Sequence, residues 1–273
     1  MSVLALFTCF NRKEKTEQCI HSIVKANPEC DFTFVVADDG STDGTVQVLE
    51  RLKLKYNIHV LHGNGSLFYS GGMRLAMKYV KQEMSRAFDY ILLMNDDVVF
   101  LNSSVERMIL QSKEQNHAII VGGMKNEDGS HSYGAVKYTR GIKYKILATD
   151  EWEIEADTFN ANAVLIPWRA FCDTEIVDEH YVHTLGDFDY GLSLRNNGYK
   201  IYTSKDYVGI CNNNSAKGTW TDSSLPRKVR IQKKENPKGA PARQWFYFLK
   251  KNFGIVAAMK GSITPYIRIM MGR

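Results

Sequence analysis

The chain has 273 residues, 44% hydrophobic and 24% charged, with a net charge of +5. That balance is ordinary for a globular protein able to bury a sizeable core. It excludes a low-complexity chain, and no apolar segment approaches the ~20 residues that cross a bilayer as a helix.

The first 125 residues alternate strand and helix signals. Residues 3–8 predict a strand and 12–26 a helix stopped near Pro28. Residues 32–37 predict a strand, followed by a helix over 44–55 capped by Thr42 or Asp43. Residues 58–61 predict a strand, and the glycine-rich loop 63–72 leads into a helix through about Met84. Residues 90–94 predict a strand, 103–115 a helix and 118–121 a strand. Such alternation predicts an α/β fold with a doubly wound, mostly parallel sheet. The second half differs: 130–148 predicts short strands or a hairpin, 159–166 a strand ended by Pro167, 187–196 a helix and 199–204 a strand. Residues 212–222 form a polar loop.

Charge divides the chain. Residues 226–273 hold 12 Lys/Arg and one acid, a net of +11, whereas the preceding 225 residues carry 23 basic and 29 acidic residues, a net of −6. The division predicts a body over 1–225, with halves 1–125 and 126–225, and a basic tail over 226–273. A basic tail suits a polyanion, either nucleic acid or an anionic membrane face, and also an ordinary solvated surface. No nucleic-acid-binding motif accompanies the charge, so nucleic acid is not expected. Within the tail, Trp245, Leu249 and Phe253 fall on one stripe of a helix flanked by cations. That stripe suits a helix lying on an anionic membrane and equally one packed on a core. Cys9, Cys19, Cys30, Cys172 and Cys211 are odd in number and lack metal-finger spacing, which reads as reduced thiols. The first residues lack a signal peptide, so a cytoplasmic chain is expected, with peripheral contact at the inner membrane face through the tail.

Two acidic clusters follow apolar strands. One is Asp38-Asp39-Gly40-Ser41-Thr42-Asp43-Gly44; the other is Asn95-Asp96-Asp97. Adjacent carboxylates repel unless a cation or strong donors offset them. In doubly wound sheets ligands bind beyond the carboxyl ends of the strands, where both clusters are predicted to lie. Either cluster alone would also serve as a capped turn.

Together with Thr8-Cys9-Phe10-Asn11-Arg12, these motifs resemble the inverting family-2 glycosyltransferases of GT-A fold, over residues 3–202 or so. The family's Asp-Asp-Gly-Ser-x-Asp-Gly-Thr is intact from position 38 to 45, and its aspartate-x-aspartate region stands as Asn95-Asp96-Asp97. The resemblance implies a Rossmann-like half that binds a nucleotide-sugar donor through Thr8, Asn11, Arg12, Asp38, Asp39, Arg74 and Asp96. It implies a divalent cation, Mn2+ or Mg2+, on Asp97. Arg74 follows Gly71-Gly72-Met73 and is implied to meet the diphosphate, while Leu75 replaces the family's usual Asn. Asn64, Ser66 and Tyr69 stand near the same loop.

On the acceptor side, Asp178-Glu179-His180 and Gly186-Asp187-Phe188-Asp189 resemble the family's acidic segments, with Asp187 at the place of the catalytic base. Gly186 replaces the usual Glu. Asp189, His183 and Trp220 are further acceptor-side candidates, His183 as a group that orients Asp187. The family's late His is missing between 206 and 222. The implied activity is transfer of a sugar, from a UDP-sugar first and dTDP-rhamnose next, to a glycan or lipid-linked acceptor in bacterial cell-surface polysaccharide synthesis. Two rival classes stand beside it. One is a catalytically silent nucleotide-sugar-binding or scaffold protein on the same fold. The other is a nucleotidyltransferase, which needs a glycine-rich triphosphate loop near its first strand, where residues 9–13 contain no Gly.

Overall fold

The computed structural model describes residues 1–84 and 87–272; Arg273, the last cation of the tail, lies outside them. In chain order the first half comprises β1 (Ser2–Cys9), α1 (Lys13–Ala26), β2 (Asp31–Asp38), α2 (Thr45–Leu52), β3 (Asn57–His62), α3 (Phe68–Glu83), β4 (Tyr90–Met94), β5 (Val99–Phe100), α4 (Ser104–Glu114) and β6 (Ile119–Lys125). The second comprises β7 (Ala135–Arg140), β8 (Lys143–Ile146), β9 (Thr158–Phe159), β10 (Ala163–Pro167), α5 (Trp168–Asp173), α6 (Gly186–Asn196) and β11 (Ile201–Ile210). The tail folds into α7 (Arg227–Lys234), α8 (Ala242–Phe253) and α9 (Ile255–Met270).

The central strand explains the layering. Val3, Ala5 and Phe7 of β1 join one apolar cluster, while Leu4 and Leu6 join another. Alternate side chains of a strand point to opposite faces, so both faces of β1 demand a cover. Ile20 and Ile23 of α1, Leu49 of α2 and Met108 of α4 cover the first face. Met73 and Met77 of α3, Phe171 of α5 and Tyr190 of α6 cover the second. Each fully buried side chain of this size contributes roughly 1.5–3 kcal/mol.

Eight strands form the main sheet in the order β3-β2-β1-β4-β10-β6-β11-β5. β3, β2, β1 and β4 are parallel, as are β6 and β11. β10 runs antiparallel between β4 and β6, and β5 antiparallel to β11. Strand order turns at β1, with β2 on one side and β4 on the other, so the loops leaving β1 and β4 open over a crevice. A second sheet, β8-β7-β9, is built on the expected hairpin, which turns at Gly141 with φ +59°.

Some boundaries moved. Arg12 lies outside α1, with extended φ of −140°, and its carbonyl accepts from Thr16 N. α2 starts at Thr45 with Gly44, at φ +95°, as its N-cap in place of the expected Thr42 or Asp43; Asp43, one residue earlier, accepts from Thr45 N at 3.0 Å. β11 runs on to Ile210, so its end reaches the crevice. The tail stripe is resolved in favour of packing: Leu249 is fully buried, and Trp245 and Phe253 pack on its cluster with Tyr181 and Leu192 of the body. Among the described residues no helix is long and apolar enough to cross a membrane.

Candidate active site

The loops after β1 and β2 are stitched together by short side chains. Asn11 adopts φ +51°, a region Asn tolerates better than most residues. Its Oδ1 accepts from Thr42 N at 2.8 Å, and its amide donates to Ser41 Oγ at 2.9 Å. Asp38 is buried and accepts from Ser41 N at 3.1 Å. Asp39 is also buried and accepts three amides, from Gly65 and Leu67 on one oxygen and from Phe68 on the other. Asp39 therefore anchors the 63–68 loop. Thr8 donates to the Ala37 carbonyl at 3.0 Å and lies so close under α3 that a Cβ on Gly72 would fall 2.3 Å from its Oγ1.

The strand-order reversal brings Arg12 against the second acidic cluster. Its Nη1 lies 2.9 Å from Asp96 Oδ1 and 2.9 Å from Asp97 Oδ2. Asp96 is 4% exposed, and its buried Oδ2 has no hydrogen-bond partner among the described residues. Burial pushes the Asp96 carboxyl up to about 6, with Arg12 opposing and Asp97 adding to the rise. Asp97 faces Cys211, whose Sγ is 3.8 Å from Oδ1. Burial, then the Asp97 charge, push that thiol up to about 12, so it stays neutral. Among the described residues no three His, Cys, Asp or Glu side chains gather as a metal-binding group.

Asp187 sits in the first turn of α6, half-buried. Its Oδ1 accepts from Phe188 N at 2.9 Å and its Oδ2 from Ala161 N at 3.3 Å. Burial pushes its carboxyl up to about 6 against those two donors. Its charge raises the hydroxyls of Tyr69, Tyr138 and Tyr144 further above their ordinary range, after burial has done so first. Tyr144 also meets Phe188 edge-on at 5.5 Å between ring centres. Asp187 thus stands at an aromatic wall. The neighbouring Asn162 donates to Cys211 Sγ at 3.2 Å, so the 161–162 segment touches both Asp187 and the thiol beside Asp97.

Comparison with known proteins now decides the family. The model of "Glycosyl transferase family 2" matches residues 5–165. The chain belongs to that family. It is 27% identical over 132 residues to a poly(ribitol-phosphate) beta-glucosyltransferase of Bacillus spizizenii, a match covering 47% of this chain and 20% of that protein. The chain thus spans about a fifth of that relative's length. TarS from S. aureus, residues 1–349, superposes with a TM-score of 0.59 at 13% identity, covering 98% of this chain and 81% of that one. The mannosyltransferase of Pyrobaculum calidifontis, solved with GDP-Man and Mn2+, gives 0.61 at 10% identity, covering 99% and 73%. These likenesses show a shared GT-A fold.

Set within the glycosyl transferase family 2 pattern, several residues depart from the roles the motifs implied. Arg74 Nη1 donates to the carbonyls of Asp178 and Tyr181, at 2.9 and 3.2 Å. It clamps the 178–181 segment onto α3. Asp189 is 3% exposed and turns into the tail, accepting from Tyr181 Oη at 3.0 Å, Lys251 Nζ at 2.7 Å and Asn252 Nδ2 at 2.8 Å. His183 Nδ1 accepts from Tyr69 N at 3.4 Å, and its ring meets Phe68 edge-on. Burial first, then Lys238 and Arg12, lower His183 to about 4, which keeps it neutral. Its contacts are with Phe68, Tyr69 and Ser70 at the start of α3. Trp220 lies in the 212–222 loop, its carbonyl accepting from Arg230 Nε at 2.8 Å.

The missing Glu has a steric reason: a Cβ on Gly186 would meet Ser70 Oγ at 2.4 Å. Tyr138, Tyr144 and Cys211 were not singled out from sequence as site residues. The hairpin signal placed the two tyrosines on strands but gave no hint of which helix they would face.

Proposed function

We propose that the protein is an inverting glycosyltransferase that moves a sugar from a nucleotide-sugar donor to a hydroxyl of a glycan or lipid-linked acceptor. The observation that carries this reading is the link through Ala161 and Asn162 between Asp187 and the Arg12–Asp96–Asp97 edge. A base and a charged donor edge in one crevice are what single displacement at an anomeric carbon requires. Asp187, raised to about 6, is deprotonated at neutral pH yet basic enough to take the acceptor's proton. Tyr138, Tyr144 and Phe188 supply apolar faces for an acceptor sugar. Asn11 and Asp38 lie toward the nucleoside, with Asp39 holding the 63–68 loop that walls it. Arg12 faces the diphosphate.

The carboxylates at this edge fit a divalent cation, Mn2+ or Mg2+: Asp96 has an orphaned buried oxygen, and Asp97 is a hard donor open to water. Such ions are commonly held by one or two carboxylates plus substrate phosphates and water. Asp97 would hold it, with Asp96 on the sugar side, and when bound it would supply positive charge to the leaving diphosphate. A UDP-sugar is the favoured donor, consistent with TarS having been solved with UDP-GlcNAc, and dTDP-rhamnose the next. The favoured setting is cytoplasmic assembly of a bacterial surface polysaccharide, with the basic tail bringing the enzyme to a membrane that carries the acceptor.

Calorimetric titration of UDP, dTDP and GDP, with Mn2+ and with chelator, tests the reading. Cation-dependent binding of one nucleotide, lost in Asp97→Asn, is expected. A folded sample that binds none of the three overturns it.

A further inference from the structure

The last helix is built inside out. Ala258, Gly261, Pro265 and Ile269 form its buried face, spaced by three and four residues, with small side chains where a packed helix usually carries large ones. Gly261 permits the approach: a Cβ there would fall 2.4 Å from Leu249 Cδ1. Trp245 Nε1 donates to the Gly261 carbonyl at 3.0 Å, which fixes α9 against α8.

The large apolar side chains point outward. Val256, Met259, Ile263, Ile267 and Met270 are between 52% and 62% exposed and follow one another at helical spacing, with Ile255 and Met271 extending the ridge. A continuous exposed apolar ridge of this kind marks an interaction surface rather than scattered surface residues. Its border is cationic. Lys260 and Arg268 are exposed on the adjoining stripe, one turn to either side of Thr264. From Ala242 to Met270, across α8 and α9, there is no Asp or Glu, while Arg243, Lys250 and Lys251 add to the positive field. At 16 residues, α9 is too short to span a bilayer.

We infer that the outward face of α9 is a membrane-docking surface, lying in the plane of an anionic bilayer with Met259, Ile263 and Ile267 in the acyl boundary and Lys260 and Arg268 at the headgroups. An apolar ridge bordered by cations, with a single acid, Glu235 of α7, at its edge and engaged by the Tyr266 hydroxyl, is what binding at an anionic interface selects. A second copy of the chain fits less well, since facing ridges would bring Lys260 and Arg268 of each copy together, with only Glu235, already engaged by Tyr266, to offset them. The surface differs from the Trp245–Leu249–Phe253 stripe, which is packed inward. It also bears on the candidate site. Lys251 and Asn252 of α8 hold Asp189 of α6, two residues beyond Asp187, so docking α9 would set the acceptor-side helix near the lipid surface. The inference deepens the membrane contact proposed above, but it stands or falls independently of sugar transfer.

The test is co-sedimentation of the full chain with phosphatidylcholine vesicles, with and without phosphatidylglycerol. Binding is expected only to the anionic vesicles, weakening as salt is raised. Met259→Glu/Ile263→Glu should abolish it, and Lys260→Gln/Arg268→Gln should weaken it about tenfold or more. The second variant changes only exposed polar positions, so it answers the question even if the first misfolds. Equal binding to neutral vesicles overturns the anionic assignment. No vesicle binding, together with a dimer in light scattering that Met259→Glu/Ile263→Glu dissociates, assigns the face to a second copy and overturns the inference. Nucleotide titration of the same variants should be unchanged, which separates failure here from failure of the transferase reading.

Discussion

Arg12 lies 2.9 Å from both Asp96 and Asp97, and Lys251 lies 2.8 Å from Asp178 and 2.7 Å from Asp189. Each is one cation between two carboxylates, but the surroundings differ. Around Lys251 every carboxylate oxygen is engaged: Asp178 also accepts from Tyr247 and His180, and Asp189 from Tyr181 and Asn252. Those donors, against the opposing effect of burial, hold the Asp178 carboxyl well below its usual range. Around Arg12 one oxygen of Asp96 has no partner, its carboxyl is raised to about 6 by burial, and the guanidinium is 45% exposed. A saturated network locks the tail helix onto the body; an unsaturated one is left open to a ligand. The same charge pattern therefore serves architecture around Lys251, and around Arg12 it is proposed to serve binding, the count of satisfied oxygens being what separates the two.

The largest expected effect concerns the residue between the two networks. Asp187 shares α6 with Asp189, and Asp187→Asn should cut turnover about a hundred- to ten-thousand-fold with nucleotide affinity unchanged. Loss of nucleotide binding in a calorimetric titration would instead assign Asp187 to the donor edge. Next, Lys251→Met removes one of three donors to the buried Asp189 and should lower unfolding free energy by about 1–3 kcal/mol, read from urea melts. Arg12→Met should cost only about 1 kcal/mol or less in the same melts, because that cation is half in water. It should nevertheless weaken nucleotide binding about tenfold, the scale of one charged contact. If both substitutions destabilise the fold equally, the contrast between the networks is wrong.

Gly186→Ala should cost about 1–3 kcal/mol by overpacking against Ser70, with Ser70→Gly restoring most of it. The smallest effect is the pH dependence. Turnover should rise through about pH 6 as Asp187 loses its proton. Because its folded pKa is raised, Asp187 favours the folded state below about pH 4, and that contribution is lost as pH climbs through 6. Asp178 is lowered, so its contribution is present above about pH 4 and lost as pH falls further. Asp187→Asn should therefore reduce the slope of the stability profile between pH 4 and 6, the remainder there belonging to Asp96, and leave the acid limb intact.

Much of the fold was legible from local rules. Apolar runs such as Tyr90-Ile91-Leu92-Leu93-Met94 can only be buried strands, and the helical spacing of Ile20 and Ile23 can only cover one face, so the alternating α/β pattern was readable. The acidic clusters were readable too, since each ends a strand and parallel strands share one carboxyl edge. Tertiary structure alone decided the remainder. The antiparallel seat of β10 between β4 and β6 depends on partners distant in sequence. Arg12 finds its carboxylates 84 and 85 residues away. The family resemblance implied ligand-side roles for Arg74 and Asp189; packing shows that each also has internal partners, which no local rule could supply. In the tail, the Trp245–Leu249–Phe253 stripe was buried because Tyr181 and Leu192 offered a matching surface, while the apolar ridge of α9 is left exposed among the described residues. Spacing sets which residues share a face, but only the packed chain sets what that face meets.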